Sequence, residues 1–418
     1  MIATVTIIRI LLYIAGFTAI YFNNDGNLNA VISIFLLSIN ICSLTRVRQN
    51  YYLLIIFACI LYSNYSICMA NYILNYESFF FKFKGYSLVI QGLNLLFLFN
   101  VFLDLVIPNI KMMDDNKILP LVENNKYNIL IELLLAFVLV LILIFCFKIP
   151  EIEYKTGGPN QLYEYSIIFI IMSFYYSGNS KFWKTIFIII SLLFALQNFI
   201  YGGRITGLQI IICLFLCLYV NKVSNTIIII LTFLLAFCML GIGMFRTSFS
   251  FSSSIFSSII SSIKQHYFIL DTAYSSYYTS LTFLDLSNNM YTIDRLYLFF
   301  KWVLSMFLGG SQVVDSNLAS YARQHYMHYG GGILPFFSFF YLGYLGVFLL
   351  ACYIKCLFKI IYSKNINYNS FFKITSIYIT TTVFRWYLYS PSQLFRGVLL
   401  LLIVYFSFGQ LNKIKFIK

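Results

Sequence analysis

The chain has 418 residues, of which 61% are hydrophobic and 10% charged, with a mean hydropathy of +0.84. A water-soluble domain carries roughly 25% charged residues, so a soluble globular fold is excluded and an all-α polytopic membrane protein is expected. The formal charge of +14 is no nucleic-acid signature, because most of the Lys and Arg sit in short loops between apolar spans and report orientation there.

A helix needs about 20 apolar residues to cross the hydrocarbon core, and on that criterion the chain holds about twelve spans. They are residues 4–22, 28–44, 51–73, 86–107, 127–147, 163–179, 183–200, 205–221, 225–244, 335–357, 371–389 and 395–411. The first apolar stretch, Ile7 to Phe22, runs into the polar turn Asn23–Asn27 and then into a second apolar stretch. That pattern reads as a helical hairpin rather than a cleaved signal.

Alternate loops carry Arg46 and Arg48, then Lys111, Lys117 and Lys126, then Lys181 and Lys184, then Lys222, then Lys355, Lys359, Lys364 and Lys373, with a basic tail at Lys413, Lys415 and Lys418. The positive-inside rule puts these, and both termini, in the cytoplasm. The chain then divides into nine spans over 1–244, a large extracytoplasmic loop over 245–334 between spans nine and ten, and three spans over 335–418. Of the smaller outer loops, Asn75–Gly85 is aromatic and expected in the interface. Lys148–Leu162, with Gly157-Gly158-Pro159, is expected to be a turn region.

Within the large loop, Ser248 to Ile263 places Ile255, Phe256, Ile259, Ile260 and Ile263 at helical spacing opposite serines, which predicts a short helix on the outer surface; a Ser-rich linker is the alternative. Leu296 to Leu308 is apolar but too short to span, and is expected to be re-entrant or interfacial. All nine cysteines fall in apolar spans and none in the loop, so no disulfide framework is expected there. Cys213/Cys217 and Cys352/Cys356 share helix faces without nearby His or carboxylate, and are read as small packing residues rather than metal ligands.

The chain has nine arginines, and those after residue 200 (Arg204, Arg246, Arg295, Arg323, Arg385 and Arg396) fall on or near the outer side, where lysine takes the inner positions. Guanidinium binds phosphate oxygens in a fork and stays charged when half desolvated. Arg204, Arg246, Arg385 and Arg396 lie at helix ends, and two readings are open: snorkelling to lipid phosphates, or a shared pyrophosphate cradle. The three histidines, His266, His325 and His328, are all in the outer loop. A histidine near neutrality can take a proton from a sugar hydroxyl, and His328 precedes Gly330-Gly331-Gly332, whose backbone a ligand can approach closely. The many tyrosines of the loop suit a sugar face, and equally a membrane interface.

About twelve spans, a large outer loop before the tenth, Tyr201-Gly-Gly-Arg204 heading one helix, His328-Tyr-Gly-Gly-Gly-Ile-Leu-Pro335 and Tyr341-Leu-Gly-Tyr-Leu-Gly346 together resemble the bacterial O-antigen (oligosaccharide repeat-unit) polymerases. The likeness is one of architecture over nearly the whole chain and of motif at these short stretches. It implies a GT-C-like inverting glycosyltransferase of the inner membrane, acting in lipopolysaccharide biosynthesis. Such an enzyme moves a growing glycan from undecaprenyl pyrophosphate onto another lipid-linked repeat unit. The resemblance further implies that Arg204, Arg246, Arg385 and Arg396 hold the leaving pyrophosphate and that His328 or His325 activates the acceptor hydroxyl. Arg295, Arg323, Tyr329, Gly330, Gly331 and Gly332 would form the substrate loop. No metal or cofactor is called for, since arginines take the metal's place. The implied partners are the undecaprenyl-pyrophosphate-linked donor and acceptor glycans, membrane lipid and a chain-length regulator protein, with no nucleic acid. The outer loop at 201–204 is very short for this family. An O-antigen ligase shares the outer His and Arg, while a lipid-linked oligosaccharide flippase would carry its charges in a central cavity and a solute transporter broken helices and internal repeats.

Overall fold

The computed structural model describes residues 2–74, 86–107, 120–121, 128–151, 156–200, 203–220, 222–224, 227, 267–310, 312–328, 330–363, 366 and 369–413. All of the expected span 225–244 but Ile227, the surface helix expected at Ser248–Ile263 and the interfacial stretch Asn75–Gly85 lie outside them. Among the described residues six helices are long and apolar enough to cross a membrane: Asn29–Val47, Tyr51–Ile73, Ser87–Val106, Lys181–Ile200, Leu334–Ile361 and Ser392–Leu411. Thr6–Phe22, Ile129–Phe145 and Arg204–Leu218 are shorter apolar helices. Large side chains such as Phe137, Ile144, Leu196 and Phe348 stand exposed on them, as the faces of a membrane-embedded helical protein do, because lipid is as good a solvent for them as a core.

The residues gather in two compact units, each assembled from separated stretches of chain. The first comprises Met1–Asp114, Ile269–Tyr362 and Val383–Arg396, the second Asp115–Phe268, Ser363–Thr382 and Gly397–Lys418.

In the first unit, α1 (Ile2–Phe22), α2 (Asn29–Val47), α3 (Tyr51–Cys68, prolonged by the π-helical turn Met69–Ile73) and α4 (Tyr86–Val106) pack α1 on α2 and α2 on both α3 and α4. Asn50 starts α3 by accepting the N–H groups of Tyr52 and Leu53 at 3.1 and 3.2 Å, a cap worth about 1 kcal/mol. A wholly buried Asp104 on α4 fastens three helices. It accepts from Arg46 at 2.9 Å, Ser43 at 2.7 Å, Arg9 at 2.5 Å and from the Tyr13 hydroxyl. Arg46 also donates to the carbonyls of Asp104 and Ile107 at 2.8 and 3.0 Å. Deeper in the same unit, Asn64 donates to Asn100 at 2.9 Å and accepts from Tyr387 at 2.8 Å. Such side-chain bonds hold apolar helices together where no hydrophobic difference between helix and lipid can do so.

The main departure from the expected loop is a helix over Asp271–Asn289, here α10, which packs on α3 and α4 and on the later elements α12 (Leu318–Ala322), α13 (Leu334–Ile361) and α15 (Val383–Leu388). Its buried face is largely polar: Ser276, Thr279, Ser280 and Thr282 are at most 1% exposed. Their hydroxyls bond mostly back to carbonyls three or four residues earlier, so no polar group is stranded. After α10 comes α11 (Thr292–Leu308), which contains the apolar stretch expected at Leu296–Leu308 and packs on α13. Phe299, Trp302 and Tyr341 form an aromatic stack between them. The helix α13 is broken at Gly343 (φ +62°, ψ −149°), a conformation open to glycine and strained for any other residue.

In the second unit, α5 (Ile129–Phe145) leads into an antiparallel hairpin of β1 (Phe147–Glu151) and β2 (Thr156–Pro159). This replaces the simple turn expected there. Next come α6 (Gln161–Glu164) and α7 (Ser166–Tyr176), covering the span expected at 163–179, then α8 (Lys181–Ile200) and α9 (Arg204–Leu218). The span expected at 371–389 is likewise two helices, α14 (Ser370–Thr381) in this unit and α15 in the first. The last helix, α16 (Ser392–Leu411), gives its first turn to the first unit and the rest to the second. Tyr163 donates to Gln197 at 2.9 Å and accepts from Asn198 at 2.8 Å, and the fully buried Lys373 donates to the Pro120 carbonyl at 3.0 Å. Cys213 and Cys217 are buried neighbours here, with sulfurs 3.9 Å apart. Cys352 and Cys356 on α13 are exposed, not core residues as expected.

Candidate functional site

The segment from Asp315 to Leu334 is shaped by α10. Asn317 caps the short helix α12, and the chain then turns through Arg323, Gln324 and His325. Tyr326 donates its hydroxyl to Asp285 of α10 at 2.5 Å. Burial first, and the Asp285 carboxylate second, raise the Tyr326 phenol above its ordinary pKa, so it stays a donor at any physiological pH. The Gly330 carbonyl accepts from Thr279 at 3.1 Å, and the Ile333 N–H donates to Ser280 at 2.7 Å. The polar face of α10 is thus a rack for this loop.

Gly330, Gly331 and Gly332 all have positive φ, at +94°, +81° and +149°. A Cβ on Gly331 would come within 2.9 Å of Ser276 Oγ and 3.0 Å of the Leu388 carbonyl, and one on Gly332 within 2.5 Å of Phe283. The glycine run is therefore required by backbone conformation and by contact with the chain itself. Its last member also donates from Gly332 N–H to the Leu388 carbonyl at 3.0 Å. That bond joins the loop to α15, where the Arg385 guanidinium lies over the Tyr389 ring at 5.5 Å and Tyr389 Cδ1 would be 3.5 Å from a Cβ on Gly331.

His328 is half-buried. Its Nδ1 accepts the Gly330 N–H at 3.0 Å, so the neutral ring carries its proton on Nε2. Nε2 is buried and makes no hydrogen bond of ordinary geometry among the described residues. Burial, and then the positive charge of Arg323, lower the His328 pKa from 6.5, with the Ala319 carbonyl acting in the opposite sense. The Arg323 Nη2 lies 2.9 Å from where a Cβ on Gly330 would be. The ring is therefore neutral near pH 7 and presents an N–H; to take a proton at Nε2 it must first adopt the other tautomer and give up the Gly330 bond.

Of the residues singled out from the sequence, the first unit brings together His328, Arg323, Gly330, Gly331, Gly332 and, through Leu388 and Tyr389, Arg385. His325 is exposed and edge-on to Tyr321 at 5.4 Å. Arg295 donates to the Phe340 carbonyl at 3.4 Å and to Thr292 at 3.2 Å, near the start of α11. Arg396 Nη2 lies 3.6 Å from the Cβ position of Gly309, at the far end of α11. A helix of 17 residues is about 25 Å long, so Arg295 and Arg396 are not members of one cluster. Arg204 belongs to the second unit, where it is the first residue of α9. Arg246, His266 and Tyr329 lie outside the described residues. Among the described residues no group of three His, Cys, Asp or Glu side chains is placed to hold a metal ion.

Sequence reasoning counted Asp285 among the outer acids and Tyr326 among the loop tyrosines, and missed their pairing and the Ser276–Thr279–Ser280 face. The signal available was the absence of any Gly or Pro from Phe245 to Leu308, which leaves a long polar stretch free to be helical.

No protein-family model, no curated protein and no solved structure matches the chain.

Proposed function

We propose that this chain is a metal-independent, inverting glycosyltransferase of the bacterial inner membrane. It would polymerise undecaprenyl-pyrophosphate-linked oligosaccharide repeat units at the outer face. In this reading the fold is GT-C-like with about twelve spans, both termini are cytoplasmic, and residues 245–334 are extracytoplasmic.

The observation that carries the reading is the joining of His328, Arg323 and the Arg385–Tyr389 turn through one glycine loop held on α10. An imidazole neutral near pH 7 beside the Arg323 guanidinium is suited to a sugar hydroxyl and a departing diphosphate. The loss of glycan from a diphosphate leaves negative charge on oxygen, and fixed cations that meet that charge lower the barrier. Arg204 and Arg246 are assigned to the same diphosphate on their sequence positions alone. His328 and His325 are the candidates for the acceptor hydroxyl, with His328 preferred because it is the one fixed in place by a hydrogen bond.

The test is the surface glycan of a strain lacking the gene, resolved on a gel. Single repeat units attached to lipid A are expected. Full-length chains left on the lipid carrier would instead make the protein a ligase, and absence of any exported glycan would make it a flippase.

A further inference from the structure

α5 carries one ionisable side chain, Glu132, and it points the opposite way from a surface acid. Leu133, Leu134, Phe137 and Ile144 of this helix are exposed, whereas Glu132 shares the buried stripe of Leu135, Leu139 and Ile142 and is 0% exposed. Neither carboxyl oxygen has a hydrogen-bond partner among the described residues.

The helix start gives no relief, because the N–H groups of Leu130 and Ile131 are already taken by the Asn128 cap at 3.1 and 3.4 Å. Among the described residues the elements packed most closely against α5 are β1, α6, α7 and α8, and Asn412 accepts from Asn128 at its start at 2.9 Å. Their charged side chains include Lys148, Glu164, Lys181 and Lys184, while Tyr163 of α6 bonds to Gln197 and Asn198 and Tyr175 and Tyr176 of α7 lie against Tyr405 and Phe408. None of them is hydrogen-bonded to Glu132. An ionised carboxylate stranded in this way is strongly disfavoured, and a helix in lipid offers no water to solvate it. A bound metal cation is a poor alternative, because it needs several oxygen ligands around it and among the described residues no polar atom is bonded to either oxygen.

We infer that Glu132 is a proton-binding site, held as the neutral carboxylic acid in the core of the second unit and ionising only when the packing around α5 opens. A neutral acid in an apolar setting has a defined reaction with a hydrophobic carbodiimide. The acid proton passes to one carbodiimide nitrogen, the carboxyl oxygen adds to the central carbon, and the resulting O-acylisourea rearranges by O-to-N acyl transfer to a stable N-acylurea. No other reactant takes part. The site is independent of the glycosyl-transfer reading, which does not use Glu132.

The experiment treats membranes containing the full-length chain with dicyclohexylcarbodiimide at neutral pH and maps adducts by mass spectrometry. The expected result is an N-acylurea on Glu132, absent in Glu132→Gln and not formed by a charged, water-soluble carbodiimide. An unmodified Glu132, or one modified by the water-soluble reagent alone, overturns the inference. Thermal unfolding of Glu132→Gln in detergent gives a second reading that needs no labelling. The amide is a neutral isostere, so an unchanged midpoint is expected, and a clear drop would mean that the carboxylate is ionised and paired.

Discussion

The Gly330 N–H donates to Nδ1 of His328 at 3.0 Å, and this one bond decides both the tautomer of the imidazole and the direction in which Nε2 points. Replacing His328 with Ala removes the ring from the loop while leaving the glycine backbone its own contacts with α10. Turnover should fall about 100-fold, the usual scale for loss of a positioned acid–base group, with the protein still recovered from membranes in normal amount. Chain growth assayed with purified lipid-linked repeat units checks this, and unimpaired growth would move the chemistry away from His328.

Arg323 lowers the His328 pKa, so its removal must raise it. The neutral ring dominates above the folded pKa, and activity that needs it is lost as pH falls through that value. In Arg323→Gln the acidic limb of the pH–rate profile should therefore move to higher pH. Identical limbs in the two proteins would show that the titrating group is not His328. The same depression means that His328 favours the folded state above its ordinary pKa of about 6.5, and that this contribution fades on acidification.

Guanidinium and ammonium differ in their fit to a diphosphate. Arg204→Lys or Arg246→Lys should each lower polymerisation about 100-fold, the scale of losing one preorganised donor, with membrane insertion unchanged. Long glycan ladders persisting in both variants would reduce these arginines to lipid-phosphate contacts.

Gly331 combines a φ of +81° with a close approach to the Leu388 carbonyl. Gly331→Ala should lose about 1–3 kcal/mol, the range for a residue forced into such a conformation. Gly409, on α16 with nothing within 4 Å of its Cβ position, is the control. There Ala should be neutral or favourable by about 0.5–1 kcal/mol, as in any helix interior. Thermal unfolding in detergent compares the two.

Asp104 balances two buried arginines, whose side chains are 11% and 5% exposed. Asp104→Asn leaves both guanidinium charges without a carboxylate and should destabilise by about 3–5 kcal/mol. The double variant Asp104→Asn with Arg9→Gln should regain part of that loss, measured as folded yield on size-exclusion in detergent.

The apolar helices were legible in the sequence because length and hydropathy are a direct consequence of bilayer thickness; Asn29–Val47 and Leu334–Ile361 fall where hydropathy puts them. His328 and the glycine run were legible because rare residue types stood together. α10 was not, since its buried side chains are mostly Ser, Thr and Tyr and its apolar residues keep no stripe for periodicity to find. With α10 went Asp285 and the hydroxyls that carry the loop. The β1–β2 hairpin was hidden for a different reason: Gly157-Gly158-Pro159 is a turn signal by composition, yet its backbone pairs with β1. Glu132 was overlooked because one acid in an apolar stretch gives no hint of which way it faces until the helix has neighbours.

The first unit is sewn from stretches made at different times. During synthesis α1 to α4 are available early, α10 and the glycine loop emerge only after the whole Asp115–Phe268 stretch, and the Leu388 carbonyl that receives Gly332 comes later still. His328 thus leaves the ribosome before one of its supports exists. A chain stopped short of α15 carries every histidine and most of the arginines, but has no means of holding the loop against its last partner.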